Sequence, residues 1–218
     1  MQIAIGLYPE LTALDAIGPY QVLTQVPGVD VVLCAERAGR LSDDNGLLHL
    51  HVEHTFDEVT APDITLVPGG FVTRRLARDR APIVEWLART HATTTFTTSV
   101  CTGALLLGAA GILDGLDATT HWSAYDELAR YGARPTEQRV VRQGKVWTAA
   151  GVSAGIDLAL ALAAELWGDE VAQAVQLGIE YDPQPPFDSG CPEQGRTRDR
   201  RAGPGRAAER EAAILADG

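Results

Sequence analysis

Basic residues are scarce in this chain of 218 residues. It holds 18 lysines and arginines against 29 aspartates and glutamates, which gives a net charge of −11 and a pI near 4.8. Nucleic acids and anionic membranes attract positively charged surfaces, so this balance argues against both as partners. The remaining composition, 45% hydrophobic and 22% charged, is that of a soluble globular protein. The length favours one large α/β domain.

Cysteines are also few, and long apolar runs are missing. Cys34, Cys101 and Cys191 are far apart in the chain and form no CxxC pair. This spacing predicts free thiols in a reducing compartment rather than a disulfide framework. The longest apolar run, residues 104–112, contains two glycines and is too short to cross a bilayer. The first residues lack the features of a signal peptide, so we expect a soluble cytoplasmic protein.

Short apolar runs rich in β-branched residues alternate with helical patterns along the chain. This alternation is typical of a mostly parallel sheet that helices cover on both faces. The predicted strands span residues 3–7, 29–34, 64–67, 94–100 and 145–149, with a hairpin over residues 47–52 that turns at Asp44-Asn45-Gly46. The predicted helices span residues 15–24, 82–91, 103–110, 152–167 and 173–180.

The chain changes character near its C-terminal end. From Gly195 onward it consists largely of arginine, alanine, glycine and acidic residues, with a short helical pattern over residues 207–215. Such a composition is typical of a solvated tail. We therefore predict one α/β domain over residues 1–192 and a polar, flexible tail over residues 193–218.

The run Thr97-Thr98-Ser99-Val100-Cys101-Thr102-Gly103-Ala104 carries the strongest chemical signal. A predicted strand passes directly into a predicted helix, with a cysteine at the turn and a glycine two residues later. This pattern predicts a nucleophile elbow, in which a sharp turn lifts the Cys101 side chain clear of the sheet. The positive end of the helix dipole would favour the thiolate. The alternative is that Cys101 is a small buried hydrophobic residue.

Two further loops leave the carboxyl ends of predicted strands, where open parallel sheets bind their ligands. Pro68-Gly69-Gly70 follows one strand, and its glycines would let backbone N–H groups face a ligand as an oxyanion hole requires. The alternative is a plain tight turn. Residues 9–19 follow the first strand and carry Asp15, either as a proton carrier beside the thiol or as a helix N-cap.

Six motifs in order resemble one known family. They are Asp15-x-x-Gly18-Pro19, Val67-Pro68-Gly69-Gly70, Val100-Cys101-Thr102-Gly103-Ala104, Ala118-Thr119-Thr120-His121-Trp122, Gly151-Val152-Ser153-Ala154-Gly155-Ile156-Asp157 and Tyr181-Asp182-Pro183-Gln184-Pro185-Pro186-Phe187-Asp188. Together they resemble the ThiJ/PfpI superfamily, and within it the isonitrile hydratase (isocyanide hydratase) branch. The resemblance covers residues 1–192 and excludes the tail.

The resemblance implies a flavodoxin-like three-layer α/β/α sandwich, a homodimer and a cysteine nucleophile at the elbow. In the isonitrile hydratase branch an aspartate and the threonine after the cysteine accompany the nucleophile. These roles would fall on Cys101, Asp15 and Thr102. The implied substrate is a small uncharged isonitrile, and the implied reaction needs neither a metal nor a cofactor.

The expected chemistry follows from the isonitrile carbon. Cys101 would add to this carbon while a protonated Asp15 supplies a proton, which gives a thioimidate. Ionised Asp15 would then activate a water, and an N-substituted formamide would leave. The backbone N–H groups of Gly70 and Thr102 are the candidates to stabilise the developing charge.

Other functions leave weaker signals. Peptidase-like relatives carry a histidine after the cysteine, where this chain has Thr102, and glyoxalase- or deglycase-like relatives carry a glutamate where Asp15 stands. A redox-sensing or regulatory protein could use Cys101 alone, although the tail is too short for a helix-turn-helix domain. His49, His51 and His54 are spaced like metal ligands, but no further ligand completes a site, and we expect no metal.

Overall fold

The computed structural model describes residues 1–191. Residues 1–179 form one compact unit that holds every helix and strand of the described chain. Residues 180–191, in which no helix or strand occurs, belong to a second unit. The predicted tail, residues 193–218 with its short helix, lies outside the described residues. The predicted domain boundary at residue 192 also lies just beyond them and stays a prediction.

A seven-stranded sheet forms the centre of the fold. Its strands are β1 (Gln2–Gly6), β2 (Asp30–Ala35), β5 (His54–Thr55), β6 (Ile64–Val67), β7 (Phe96–Val100), β10 (Val140–Gln143) and β11 (Val146–Ala149). They lie in the order β10-β11-β7-β6-β1-β2-β5, and only the β10–β11 pair is antiparallel. The predicted parallel sheet is confirmed, and the near-continuous burial of β1, β6 and β7 is what a sheet covered on both faces requires.

Two small sheets flank the central one. β3 (Gly39–Ser42) and β4 (His49–Val52) form the predicted hairpin, and β8 (Asp117–Ala118) pairs with β9 (Arg134–Pro135). In the hairpin turn the carboxylate of Asp43 accepts hydrogen bonds from the N–H groups of Leu47 and Leu48. The turn also pairs with Leu11, which places the hairpin beside the loop that follows β1.

Seven α-helices cover the sheet in the described chain. They are α1 (Ala13–Leu23), α2 (Thr73–Arg78), α3 (Pro82–His91), α4 (Gly103–Ala109), α5 (Tyr125–Arg130), α6 (Ala154–Trp167) and α7 (Asp169–Gly178), with a short 3-10 helix at Trp122–Ala124. α6 packs on both α1 and α7, α2 to α5 form a second contacting group, and both groups contact the sheet. The predicted three-layer α/β/α sandwich is therefore confirmed. None of these helices has the length and apolar character needed to span a membrane.

Several elements differ from the predicted ones for local reasons. α2 and α5 have six residues each, too few for a helical period to show in the sequence. α6 begins at Ala154 rather than at residue 152, because Val152 has a φ of 35° and cannot belong to a right-handed helix. α7 runs over Asp169–Gly178 rather than residues 173–180, and its first turn holds two acidic side chains that favour a helix N-terminus.

The sheet order creates a crevice where the connections change direction. From β1 the chain continues to β2 on one side, whereas β6 leads to β7 on the other. Ligands bind open α/β sheets at the carboxyl ends of the strands next to such a switch point. The loops that follow β1, β6 and β7 meet there.

Candidate active site

The turn between β7 and α4 has the geometry of an elbow. Cys101 has a φ of 57°, a left-handed conformation that costs on the order of 1–3 kcal/mol in a residue other than glycine. Its N–H points between the carbonyls of Ala149 and Ala150, at 3.0 and 3.1 Å, and its own carbonyl accepts a hydrogen bond of 2.9 Å from the Thr120 hydroxyl. These contacts hold the strained turn, so the predicted elbow is confirmed.

Gly103 lets the first turn of α4 lie directly against the end of β6. A Cβ atom at this position would stand 2.5 Å from the carbonyl oxygen of Val67 and 2.7 Å from that of Pro68. Both distances are far inside van der Waals contact, and both neighbours are backbone. A glycine two residues after the cysteine is therefore a packing requirement of the elbow.

Asp15 lies inside the protein and next to the thiol. It is the third residue of α1, which begins at Ala13, so the N-cap alternative is wrong. Its side chain is 0% exposed, and its Oδ2 accepts a hydrogen bond of 2.9 Å from the N–H of Gly69. A Cβ atom at Gly69 would lie 2.8 Å from both Asp15 Oδ2 and Cys101 Cβ, which shows how closely the three residues converge.

Burial controls the protonation of Asp15. Desolvation raises the pKa of its carboxyl from 3.8 to about 7, while the Gly69 N–H and the Cys101 thiol act in the opposite direction. Its Oδ1 is buried and has no hydrogen-bond partner within residues 1–191. Near neutral pH this carboxyl can therefore both hold and release a proton.

The thiol of Cys101 is 5% exposed, and burial raises its pKa well above the usual value. The negative charge of Asp15 raises it further, whereas the N–H groups of Val152 and Thr102 lower it. Burial of the thiol therefore opposes the preference for the thiolate that the N-terminus of a seven-residue helix gives. Two adjacent buried acids of this kind avoid carrying charge together.

Thr102 joins the elbow to the loop after β6. Its hydroxyl accepts a hydrogen bond of 3.0 Å from the N–H of Gly70 and donates one of 2.9 Å to the Gly70 carbonyl. The Gly70 N–H, which we expected to meet charge on a substrate, is thus engaged by Thr102 in this structure. The four predicted site residues lie together in the structure: Cys101, Asp15, Thr102 and Gly70. The N–H of Gly70, however, holds its own loop against Thr102.

Val152 is a site residue that the sequence patterns did not reveal. Its N–H approaches the thiol from the loop after β11, the strand next to β7, and its strained φ of 35° helps to direct that N–H. The segment Gly151-Val152-Ser153 belongs to one of the family-like motifs, but nothing in it marks the Val152 N–H as a contact of the thiol. His121 packs beside this loop, since a Cβ atom at Gly151 would stand 2.6 Å from its Cδ2.

Tyr8 is a second residue that was missed. Its hydroxyl donates a buried hydrogen bond of 2.6 Å to the carbonyl of Pro68. Burial raises the pKa of the phenol well above its usual value, and the charges of Asp15 and Cys101 add to this effect. Tyr8 is therefore a neutral hydroxyl whose pKa responds to both titrating groups.

The remaining candidates lie elsewhere. His49 and His51 are exposed on β4, and residues 1–191 contain no group of three side chains able to hold a metal ion. Cys34 is buried in β2, where desolvation raises the pKa of its thiol to about 12 and disfavours the reactive thiolate.

Comparison with known proteins places this geometry in a family. The chain is 44% identical over 193 residues to the isonitrile hydratase of Pseudomonas putida, a match that covers 88% of the chain and 84% of that protein. It is 30% identical over 152 residues to the HTH-type transcriptional regulator CdhR of Pseudomonas aeruginosa, covering 69% of the chain and 44% of the regulator.

A crystal structure of a ThiJ/PfpI family protein from Pseudomonas syringae is also similar. It superposes with a TM-score of 0.90 and 38% identity, covering 99% of the chain and 90% of that protein. The model of the DJ-1/PfpI family matches residues 1–165. Since this span includes the elbow, the helix that carries Asp15 and the loop that carries Gly69, the chain belongs to the DJ-1/PfpI family.

Proposed function

We propose that this protein is an isonitrile hydratase, which adds water to an isonitrile to give an N-substituted formamide. The observation that carries the proposal is the buried Cys101–Asp15 pair, in which a carboxyl with a pKa of about 7 lies against a thiol. The 44% identity to a named isonitrile hydratase over most of both chains supports the same reaction.

The first step joins the thiol to the substrate. The Cys101 sulfur forms a bond to the terminal carbon of the isonitrile, and the proton shared by the pair passes from Asp15 to the same carbon. The product is a thioimidate in which the former isonitrile carbon carries one hydrogen and a C=N bond. Asp15 is left ionised beside it, with the Gly69 N–H to stabilise its charge.

The second step consumes water. Ionised Asp15 removes a proton from a water molecule and passes it to the thioimidate nitrogen, while the water oxygen adds to the thioimidate carbon. The C–S bond then breaks, the carbonyl of the formamide forms, and the proton of the former hydroxyl returns to the pair. Atoms balance as one isonitrile plus one water, and these steps require neither a metal nor an external redox partner.

The surrounding backbone supports charge on the sulfur. The N–H groups of Thr102 and Val152 face the thiol, so in this proposal Val152 takes the role that we expected of Gly70. The Thr102 hydroxyl holds the Gly70 loop in place on the other side. A small uncharged substrate suits a buried site of this kind, and the thiol must stay reduced, as in the predicted cytoplasmic setting.

The test is formamide production by the purified protein. With cyclohexyl isocyanide we expect catalytic turnover to the N-substituted formamide, followed by mass spectrometry, and we expect the Cys101→Ala variant to lose it completely. Cys191→Ser is the matched control, because the proposed mechanism gives this half-exposed cysteine no role. Intact-mass measurement after a brief pulse should show a thioimidate on the wild-type chain. Full activity of the Cys101→Ala variant would refute the mechanism.

Two other functions correspond to other outcomes of the same experiment. One adduct for each chain without turnover would indicate a sensing or regulatory protein that uses Cys101, a role compatible with the similarity to a transcriptional regulator. Turnover of methylglyoxal in a parallel assay, with none of the isonitrile, would indicate a glyoxalase- or deglycase-like enzyme.

A further inference from the structure

A single peptide group connects Tyr8 to Asp15. The carbonyl of the Pro68–Gly69 peptide accepts the 2.6 Å hydrogen bond from the Tyr8 hydroxyl. The N–H of the same peptide donates the 2.9 Å hydrogen bond to Asp15 Oδ2. In a trans peptide these two groups point in opposite directions, so the peptide spans the distance between the phenol and the carboxyl.

We propose that Tyr8 is a positioning residue, which holds the Pro68–Gly69 peptide so that its N–H stays directed at the Asp15 carboxylate. The consequence for catalysis rests on the proposed function, because it assumes that Asp15 moves the proton. The effect of Tyr8 on the ionisation of the Asp15 carboxyl does not depend on the proposed function.

The physical reason is the polarisation of the peptide. When its carbonyl accepts a strong hydrogen bond, the N–H of the same peptide becomes a better donor, by roughly 10–30% for each bond in a chain. The better donor stabilises the ionised form of Asp15 over the protonated one. Tyr8 therefore lowers the pKa of this carboxyl, against the effect of burial. It acts through the peptide, because its hydroxyl binds the Pro68 carbonyl and not the carboxyl itself.

The local packing also requires a donor at this place. Gly103 brings the backbone of α4 close to the Pro68 carbonyl, and a side chain there would stand 2.7 Å from that oxygen. The carbonyl is thus buried between α4 and Tyr8, out of reach of bulk water. A buried carbonyl without a donor is unfavourable, so the Tyr8 hydroxyl fixes the orientation of the whole peptide.

The other titratable groups that act on Asp15 are left unchanged by a substitution at Tyr8. They are the Cys101 thiol at the elbow and the carboxylate of Asp44 in the hairpin turn, whose charge raises the pKa of Asp15. The Tyr8 phenol stays neutral, because burial and the same charges raise its pKa. Tyr8 therefore acts on Asp15 through its hydrogen bond and not through charge.

The experiment follows the Asp15 carboxyl by carbon-13 NMR during a pH titration of aspartate-labelled protein without substrate. Asp15→Asn identifies the resonance. In Tyr8→Phe we expect the midpoint, about 7 in the wild type, to move upward by roughly half a pH unit. A ring-fluorinated tyrosine at position 8 is a stronger donor and should move the midpoint downward. Tyr20→Phe, on the exposed face of α1, should leave it unchanged.

Opposite shifts in the two Tyr8 variants support the proposal. No shift in either variant, or shifts in the same direction, overturns it, since mere loosening of the packing would not depend on donor strength. The fluorinated residue keeps the hydroxyl, so this arm remains informative if Tyr8→Phe unfolds. If the protein hydrates no isonitrile but the shifts are opposite, the proposed function fails and the role of Tyr8 stands.

Discussion

At the scale of single residues, the site contains a buried acid whose ionisation opposes folding. Asp15 is fully buried and has an oxygen without a partner in the described chain. A surface aspartate would ionise freely near pH 4, whereas this one titrates near pH 7. That raised pKa is what allows the carboxyl to transfer protons at neutral pH, and the protein is less stable for it.

The sign of this effect gives a first prediction. Because the pKa of Asp15 in the folded protein, about 7, lies above the 3.8 of a free side chain, its contribution to stability is largest in acid and is lost as the pH rises toward 7. Asp15→Asn keeps an acceptor for the Gly69 N–H and cannot ionise. We expect the difference in unfolding free energy between Asp15→Asn and the wild type to increase in favour of the variant by roughly 2–3 kcal/mol from pH 5 to pH 8.

Urea unfolding at the two pH values measures this gain. Asp57→Asn is the control, since Asp57 is 96% exposed and its ion pair with Arg89 is a surface contact. The control should change little at either pH. A gain in Asp15→Asn that is equal at pH 5 and pH 8 would contradict the assignment of a raised pKa.

At the scale of elements, close backbone contacts bring the reacting groups together. α1 carries Asp15, and α6 follows the loop that presents Val152. These two helices meet where Gly18 lies against Ile156 and Gly155 against Pro19. α4 approaches β6 in the same way at Gly103. A methyl group at Gly103 would force α4 away from β6, whereas one at Gly18 or Gly155 would require only a small shift of the facing side chains.

Gly103→Ala tests the close contact between α4 and β6. The added methyl group would meet the Val67 and Pro68 carbonyls, neither of which can move without the sheet or the loop. We expect a loss of about 2–3 kcal/mol in unfolding free energy and slower alkylation of Cys101 at fixed pH. Gly178→Ala, at the end of α7 with open space around it, should change stability by about 0.5 kcal/mol or less. Similar stability of the two variants would contradict the close approach.

At the scale of the whole molecule, the predicted homodimer remains to be tested. Large exposed apolar side chains occur on α1, at Leu14 and Tyr20, and on the hairpin turn, at Leu47 and Leu48. The hairpin turn pairs with Leu11, in the loop that leads into α1 and to Asp15. Clusters of exposed apolar side chains are typical of surfaces that a partner covers, and a second copy of the chain is the partner that the family resemblance implies.

Sedimentation velocity decides this prediction. We expect the wild-type protein to sediment with twice the chain mass of 23.2 kDa. The double variant Leu14→Glu, Leu47→Glu should sediment as a monomer, because two desolvated charges would oppose association. Leu177→Glu replaces an equally apolar exposed side chain on α7 and should stay dimeric. A monomeric wild-type protein, or loss of the dimer only with Leu177→Glu, would contradict it.

Several elements were predictable because their signals are local. The strand at Ile64–Val67 and the helix at Pro82–His91 have the predicted bounds, since a β-branched run ending at Pro68 and a helix beginning at Pro82 are encoded within a few residues. The elbow was predictable for the same reason, as Cys101 and Gly103 are neighbours. The six-residue helices and the strained Val152 were not, because no periodicity or composition marks them.

The sequence by itself determined an α/β protein with a cysteine at a strand-to-helix turn and a candidate acid on the loop after the first strand, because strand, turn and helix preferences act between neighbours. Only the tertiary structure decided how these groups behave. Tyr8 meets Pro68 across 60 residues of chain, and Asp15 meets Gly69 across 54. Desolvation by such distant segments raises the pKa of Asp15 and of Cys101, and burial of this kind is a property of the assembled fold.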